Sequence, residues 1–174
     1  MEIPPYRIDA ETNRDYLLDE ESAVAYLSHI DGRADLASRG QRVSLLRLLG
    51  RLDEAEAEAS AALAQARRDG SPRDELGALI RLAHVVQWQR RWEEADRLFA
   101  EAIERAERLG DDLYTAFALQ HAGRNHIDQG RLDKAIESFE NALALRVAVD
   151  APEDQLSSTR EALQVARARL SRTR

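Results

Sequence analysis

Arginine, histidine and tryptophan recur at helical spacing in the sequence, and these are residue types that can bind another molecule. Arg81, His84 and Trp88 lie at positions i, i+3 and i+7, so a helix places them along one face. A guanidinium pairs with carboxylate oxygens through parallel hydrogen bonds, and an exposed indole offers a large contact area. The chemistry predicted for this set is recognition of a partner that carries carboxylates.

A second set of polar side chains follows forty residues further along the chain. Its members also have helical spacing: His121, Arg124, Asn125 and Asp128. Residues forty positions apart can be aligned, and the alignment extends to a third set upstream. Gln41 aligns with Arg81 and His121, and Ser44 aligns with His84 and Arg124. The same kind of polar surface is therefore expected on several helices.

Neither a metal site nor a catalytic site is predicted from these residues. His121 and His126 are five positions apart, so they lie on different faces of one helix, and a histidine pair without a placed carboxylate is more typical of a polar surface than of a ligand set. The sequence has no glycine-rich phosphate loop, nucleophile elbow or triad-like arrangement. We expect a protein that is not an enzyme and that uses no metal or cofactor.

Composition and charge limit the classes of protein to which the chain can belong. Of 174 residues, 44% are hydrophobic and 33% charged, which is typical of a globular domain, and there is no cysteine for a disulfide or a thiolate metal site. The net charge is −7, so non-specific binding to nucleic acid is not expected. No apolar run has membrane-spanning length and nothing near Met1 resembles a signal peptide, so no membrane partner and a cytoplasmic location are expected.

Hydrophobic periodicity predicts that helices hold these side chains. Apolar residues recur at i, i+3 and i+7, as at Leu79, Leu82 and Val86, and clusters of Gly, Pro, Ser and Asp separate the periodic segments. The predicted helices span residues 20–30, 33–49, 52–69, 73–90, 92–109, 112–129, 132–148 and 153–171.

One motif occurs three times at a step of forty residues. It comprises residues 50–55, 90–95 and 130–135, each with a basic residue second and an alanine last. Further columns keep the same step: Ala59, Phe99 and Phe139; Ala62, Ala102 and Ala142; Val43, Ala83 and Gly123. Three copies in register predict three helix pairs.

These residues resemble the tetratricopeptide repeat family. Its signature has a small residue where two helices touch, a turn glycine, then an aromatic or leucine, an acidic pair, an alanine, an aromatic and a second alanine. The third copy matches through Gly123, Gly130, Leu132, Ala135, Phe139 and Ala142. The second copy has Arg90 in place of the turn glycine, and the first has Ala59 in place of the aromatic. Since the family's repeat is about 34 residues, a step of forty is similar to its extended variants, including those of bacterial regulators.

The resemblance implies an all-α fold, a right-handed α-α superhelix (a TPR-like solenoid) of three helix pairs with an N-terminal helix and a C-terminal capping helix. Residues 20–174 are then one domain, with repeats at about 33–70, 73–110 and 112–150 and the cap at 153–171.

Residues 1–19 lack the repeat and are rich in acidic side chains. One interpretation is a mobile leader that becomes ordered only near Tyr16. The other is an acidic segment that lies in the groove of its own chain or of a neighbour and competes with the ligand.

The family usually binds its partners on a concave wall lined by the first helix of each pair. The resemblance therefore implies a groove for a protein or an acidic peptide, lined by Gln41, Ser44, Arg81, His84, Trp88, His121, Arg124, Asn125 and Asp128. The alternative is that Trp88 turns into the junction with Trp92 while the arginines pair with neighbouring acids. The carboxylate clamp of chaperone-binding members is not predicted, because Gly40 and Ser44 replace its first Lys and Asn.

Three uses of such a fold are compatible with the sequence. The first is a protein-binding adaptor, and the second is a regulatory or sensory protein that acts in trans on a partner. The third is a homo-oligomeric scaffold in which one end of the repeat stacks on another copy. The identity of the partner is not encoded in any motif of the sequence.

Overall fold

A computed structural model describes residues 2–9 and 14–173. This part of the chain forms eight helices: α1 Glu20–His29, α2 Leu36–Leu48, α3 Leu52–Asp69, α4 Pro72–Trp88, α5 Trp92–Arg108, α6 Asp112–Asp128, α7 Leu132–Ala148 and α8 Glu153–Thr173. All eight predicted helices are present, with ends that differ from the predicted ones by three residues at most. The all-α fold class is confirmed.

Polar caps explain where several helices begin. Ser71 accepts a hydrogen bond from the backbone N–H of Asp74, and the Asp74 side chain accepts one from Ser71, which makes a capping box at the start of α4. Asp35 and Asp111 cap α2 and α6 in the simpler way, each through one side-chain oxygen. These caps satisfy backbone donors that the first helical turn leaves without partners.

The turn within each helix pair requires a left-handed backbone. Gly50 and Gly130 have φ angles of 73° and 71° at these turns, and Arg90 has a φ of 62° at the equivalent position between α4 and α5. Glycine adopts this conformation without steric cost, whereas a side chain makes it unfavourable. The backbone at Arg90 is therefore strained, whereas the glycines at the equivalent turns are not.

Two short strands precede the helices and were not predicted from the sequence. Strand β1, Tyr6–Ile8, pairs antiparallel with β2, Asp15–Leu17, and Arg7 lies opposite Tyr16. The pairing continues beyond the strands, since Asp9 N–H donates to the Arg14 carbonyl at 2.8 Å. A segment of residues 1–19 thus has a defined conformation, although residues 1 and 10–13 lie outside the described part of the chain.

The described residues divide into two compact units. Unit 1 contains residues 2–9 and 14–90, and unit 2 contains residues 91–173. Each has buried apolar clusters of its own. Those of unit 1 include Ala23, Tyr26, Ile30, Val43, Leu45, Leu46 and Val85, and that of unit 2 includes Ile127, Ala135, Phe139, Ala162, Leu163 and Ala166. None of the eight described helices is both long and apolar enough to cross a membrane.

Candidate binding surfaces of the two units

A buried ion pair attaches β2 to α2 in unit 1. Arg47 Nη2 donates to Asp15 Oδ2 at 2.9 Å, and each side chain is only 7% exposed. Two charges leave water at a cost of several kcal/mol each, so such a pair needs close geometry to be stable. The strand segment is therefore held on the helix by a specific contact.

Two arginine guanidiniums lie over the ring of Trp88, which is at the end of α4. The guanidinium of Arg47 lies 4.5 Å from the ring centroid, and that of Arg14, the residue before β2, lies 5.6 Å away. The indole N–H donates to His84 Nε2 at 3.3 Å, so in this arrangement the imidazole carries its proton on Nδ1. We call the area formed by Arg47, His84 and Trp88 the Arg47–Trp88 surface.

The other predicted residues of unit 1 have local partners. Arg81 is exposed, and its guanidinium crosses α2 at Gly40, where an added Cβ would lie 2.9 Å from Arg81 Nε. Gln41 Oε1 accepts a hydrogen bond from the Tyr26 hydroxyl at 3.1 Å. Ser44 is half-buried, and its hydroxyl donates to the backbone of its own helix. The structure thus brings His84 and Trp88 into contact and engages Gln41 and Ser44 within the fold.

In unit 2, the prediction of an exposed polar face on α6 is wrong for three residues. His121, Arg124 and Asn125 are buried, whereas Asp128 is half-buried. The His121 ring stacks on Phe99 with a centroid distance of 6.4 Å and meets the edge of Phe117 at 4.6 Å. In unit 1 His84, which was also expected to be exposed, is buried. These side chains serve the packing of their helices.

Asn125 is fully buried between α6 and the start of α5, where its amide has two hydrogen-bond partners. Its amide donates to the Trp92 carbonyl at 3.0 Å and to Asp96 Oδ1 at 2.6 Å. Gln129 and Arg131 donate to the same carboxylate, at 3.0 Å and 2.8 Å. Asp96 is thus the centre of a polar network that sequence analysis missed.

A repeat signal could have identified part of this network. Gln89 donates to Glu56 at 2.7 Å in unit 1, and these two residues precede Gln129 and Asp96 by forty positions. The same pair of positions therefore links the end of one helix to the preceding helix in both units. Two columns that pair an amide with an acid at a constant step are visible in the sequence alone.

His126 lies beside the same carboxylate. Its Nδ1 is 3.7 Å from Asp96 Oδ1, and the side chain is largely enclosed. Burial lowers the pKa of His126 below its usual value, and the charge of Asp96 opposes this shift. The neutral imidazole is the form favoured by the fold, as expected for a partly buried core histidine.

A buried arginine attaches α8 to the rest of unit 2. Arg146 on α7 donates to the Gln155 carbonyl at 2.7 Å and to the side chains of Gln120 and Thr159. Burial, followed by the charge of Arg124, lowers the pKa of Arg146 to about 10. Sequence analysis does not identify this residue, because the positions forty and eighty residues before it are not arginine.

The two units therefore offer different chemistry. The Arg47–Trp88 surface already holds an extended segment by a charge pair and by cation–π contacts, whereas the polar groups of α6 are mostly used within unit 2. Among the described residues, no three His, Asp or Glu side chains are grouped so that they could hold a metal ion. In unit 1 these side chains hold an extended segment of the same chain.

The consecutive helices and their recurring turns define a helix-pair repeat protein. Residues 74–146 match the model of the tetratricopeptide repeat family, which supports the predicted resemblance of the chain to that family. Repeats of this family generally mediate protein–protein interactions and are typically not enzymes.

Comparison with solved structures supports the fold. The chain is similar to BtubC (BKLC) from P. vanneervenii, with a TM-score of 0.56 and 20% sequence identity over 88% of this chain and 69% of that one. At this identity the likeness concerns the fold alone. No curated protein matches the chain in sequence.

Proposed function

We propose that the chain is a protein-interaction module that binds an acidic polypeptide segment on the Arg47–Trp88 surface of unit 1. The observation that carries the proposal is that an extended segment of the same chain lies there, with Asp15 paired to Arg47 and Arg14 over Trp88. A surface that holds one extended segment in this way has the side chains needed to hold another.

Charge and side-chain type support an acidic partner. Arg47 supplies a guanidinium, which favours carboxylates because its donors match their geometry. Arg81, an exposed residue, adds a second guanidinium on α4, the helix that also carries Trp88. Arginine and tryptophan are the residue types most enriched where binding energy is concentrated.

The proposal divides the nine predicted residues by role. We assign Arg81 and Trp88 to the binding surface. His84 is buried and supports Trp88 through the hydrogen bond from the indole. Gln41 and Ser44 lie on α2 and are engaged within the fold. On α6, His121, Arg124 and Asn125 are assigned to packing because they are buried, and Asp128 is left as a half-buried residue near the helix end.

Tryptophan fluorescence provides a direct test. The chain has two tryptophans, and Trp92→Leu leaves Trp88 as the only reporter; leucine is the residue at the equivalent positions 52 and 132. Titration with nine-residue peptides that contain one or two aspartates should change the Trp88 emission at micromolar to millimolar concentration, and matched peptides with asparagine should have no effect. If no acidic peptide changes the emission, or if the asparagine peptides act equally, the proposal is wrong.

A further inference from the structure

Residues 14–17 define the kind of partner that the surface fits. On the basis of the proposed function, we infer that this segment is a self-ligand. The external partner is then an extended segment with the same chemistry, namely a cation, an acidic residue immediately after it and a leucine two positions further on. Such a segment would bind by displacing the chain's own residues from the Arg47–Trp88 surface.

The ion pair sets the requirement for a carboxylate. Asp15 and Arg47 are both buried where they meet, so departure of Asp15 removes the carboxylate to which Arg47 Nη2 donates. Loss of the close carboxylate removes a charge-assisted hydrogen bond from Arg47, and an incoming segment with a carboxylate of its own restores it. Exchange of one carboxylate for another leaves the number of buried charges unchanged. A neutral segment cannot make this exchange.

The flanking positions add the cation and the leucine. Arg14 lies over the Trp88 ring, where a cation is attracted by the electron-rich face of the indole. Leu17 is half-buried and packs against the apolar cluster formed by Ala23, Tyr26, Ile30 and Leu45. Between them Tyr16 is exposed, so the third position of the pattern carries no requirement.

The attachment of the strands is weak enough for exchange. Each strand has three residues, and a two-stranded sheet is marginally stable by itself. The aromatic side chains Tyr6 and Tyr16 are 56% and 44% exposed, so they contribute little burial. A segment with few buried contacts opens at a low free-energy cost compared with unfolding of the whole protein. The strands can therefore leave while the helices stay folded.

The experiment compares chains of residues 1–174 that differ by one side chain. The probe is a fluorescein-labelled peptide with the sequence of residues 14–18, and binding is followed by fluorescence anisotropy. Asp15→Asn should release the self-ligand, and Glu2→Gln is the matched control because it removes an exposed carboxylate from the same segment. Arg14→Ala is a second variant that weakens the segment at Trp88. Circular dichroism confirms that each variant is folded.

Four results are decisive. We expect the peptide to bind Asp15→Asn about tenfold more tightly than the wild-type chain, because the intramolecular ion pair no longer competes. Arg14→Ala should shift affinity in the same direction, Glu2→Gln should behave like wild type, and a peptide with asparagine in place of its aspartate should not bind. Equal affinity for wild type and both release variants would overturn the self-ligand while leaving the proposed function intact. If the peptide of residues 14–18 does not bind although other acidic peptides change the Trp88 emission, the proposed pattern of cation, acidic residue and leucine is wrong and the proposed function stands.

Discussion

At the scale of single residues, Arg90 stores strain that a substitution can remove. Its φ of 62° lies in the left-handed region, which costs a residue with a side chain about 1–2 kcal/mol. Glycine avoids this cost but has more freedom in the unfolded chain, which offsets part of the gain by roughly 0.4–1 kcal/mol. We therefore expect Arg90→Gly to raise the free energy of unfolding by about 0.5–1 kcal/mol, measured by urea unfolding.

The control for this prediction is the reverse change at an equivalent turn. Gly130→Ala introduces a side chain at a φ of 71°, where no neighbouring atom lies within 4 Å of the added Cβ, so any loss of stability comes from the backbone alone. Stability that falls in Arg90→Gly, or is unchanged in Gly130→Ala, would show that the left-handed turn is not the source of strain.

Residue roles were only partly predictable because burial depends on contacts between helices. The spacing of Arg81, His84 and Trp88 placed them on α4, and the contact between His84 and Trp88 follows from that spacing. The burial of Asn125 does not follow from residue spacing, because it depends on the Asp96 side chain and the Trp92 carbonyl of another helix. Arg47, which pairs with Asp15, was likewise not among the predicted site residues, since its partner is 32 positions away.

At the scale of secondary structure, the contact between α6 and α7 depends on a position without a side chain. A Cβ added at Gly123 would lie 2.6 Å from Phe139 Cε1, and Phe139 is fully buried, so the ring has little room to move. Overpacking costs about 1–3 kcal/mol and outweighs the helix propensity of alanine, which gains about 1 kcal/mol over glycine. Gly123→Ala should lower the free energy of unfolding by up to about 2 kcal/mol in urea unfolding followed by circular dichroism.

Gly40→Ala is the matched control, since it makes the same substitution within a helix. There the nearest atoms belong to the mobile end of the Arg81 side chain, which can shift without disturbing a core. The unfolding free energy of this variant should equal that of wild type or exceed it by up to about 1 kcal/mol, because the helix propensity of alanine is not offset by a fixed neighbour. Equal effects at Gly40 and Gly123 would mean that the Phe139 contact is not limiting.

The helices were predictable and the strands were not, for a physical reason. A helix of 17 residues such as α4 or α6 contains several turns of apolar periodicity, and caps mark its ends. Strands β1 and β2 have three residues each, too few to establish an alternating pattern, and their position depends on the contact of Asp15 with α2. Short elements that are fixed by distant contacts leave little trace in local sequence.

At the scale of the whole molecule, net charge and local site chemistry act in opposite directions on an acidic ligand. The chain has a net charge of −7, with nine acidic residues and three arginines among its first 35 positions. A negatively charged peptide is therefore repelled at long range, although the guanidinium of Arg47 on the Arg47–Trp88 surface attracts it at contact. Salt screens the distant repulsion strongly, because the Debye length falls from about 30 Å at 0.01 M to about 8 Å at 0.15 M ionic strength.

This opposition predicts an unusual salt dependence for the Asp15→Asn chain and the labelled peptide of residues 14–18 extended by two aspartates. The association rate constant should increase about two- to threefold between 0.01 M and 0.15 M salt, since screening removes repulsion that would otherwise slow encounter. The dissociation rate constant should change little, because the contact with Arg47 is buried and is screened less. Stopped-flow anisotropy measures both constants. An association rate that falls with added salt would mean that the positive field of the Arg47–Trp88 surface extends beyond contact and dominates the net charge of the molecule.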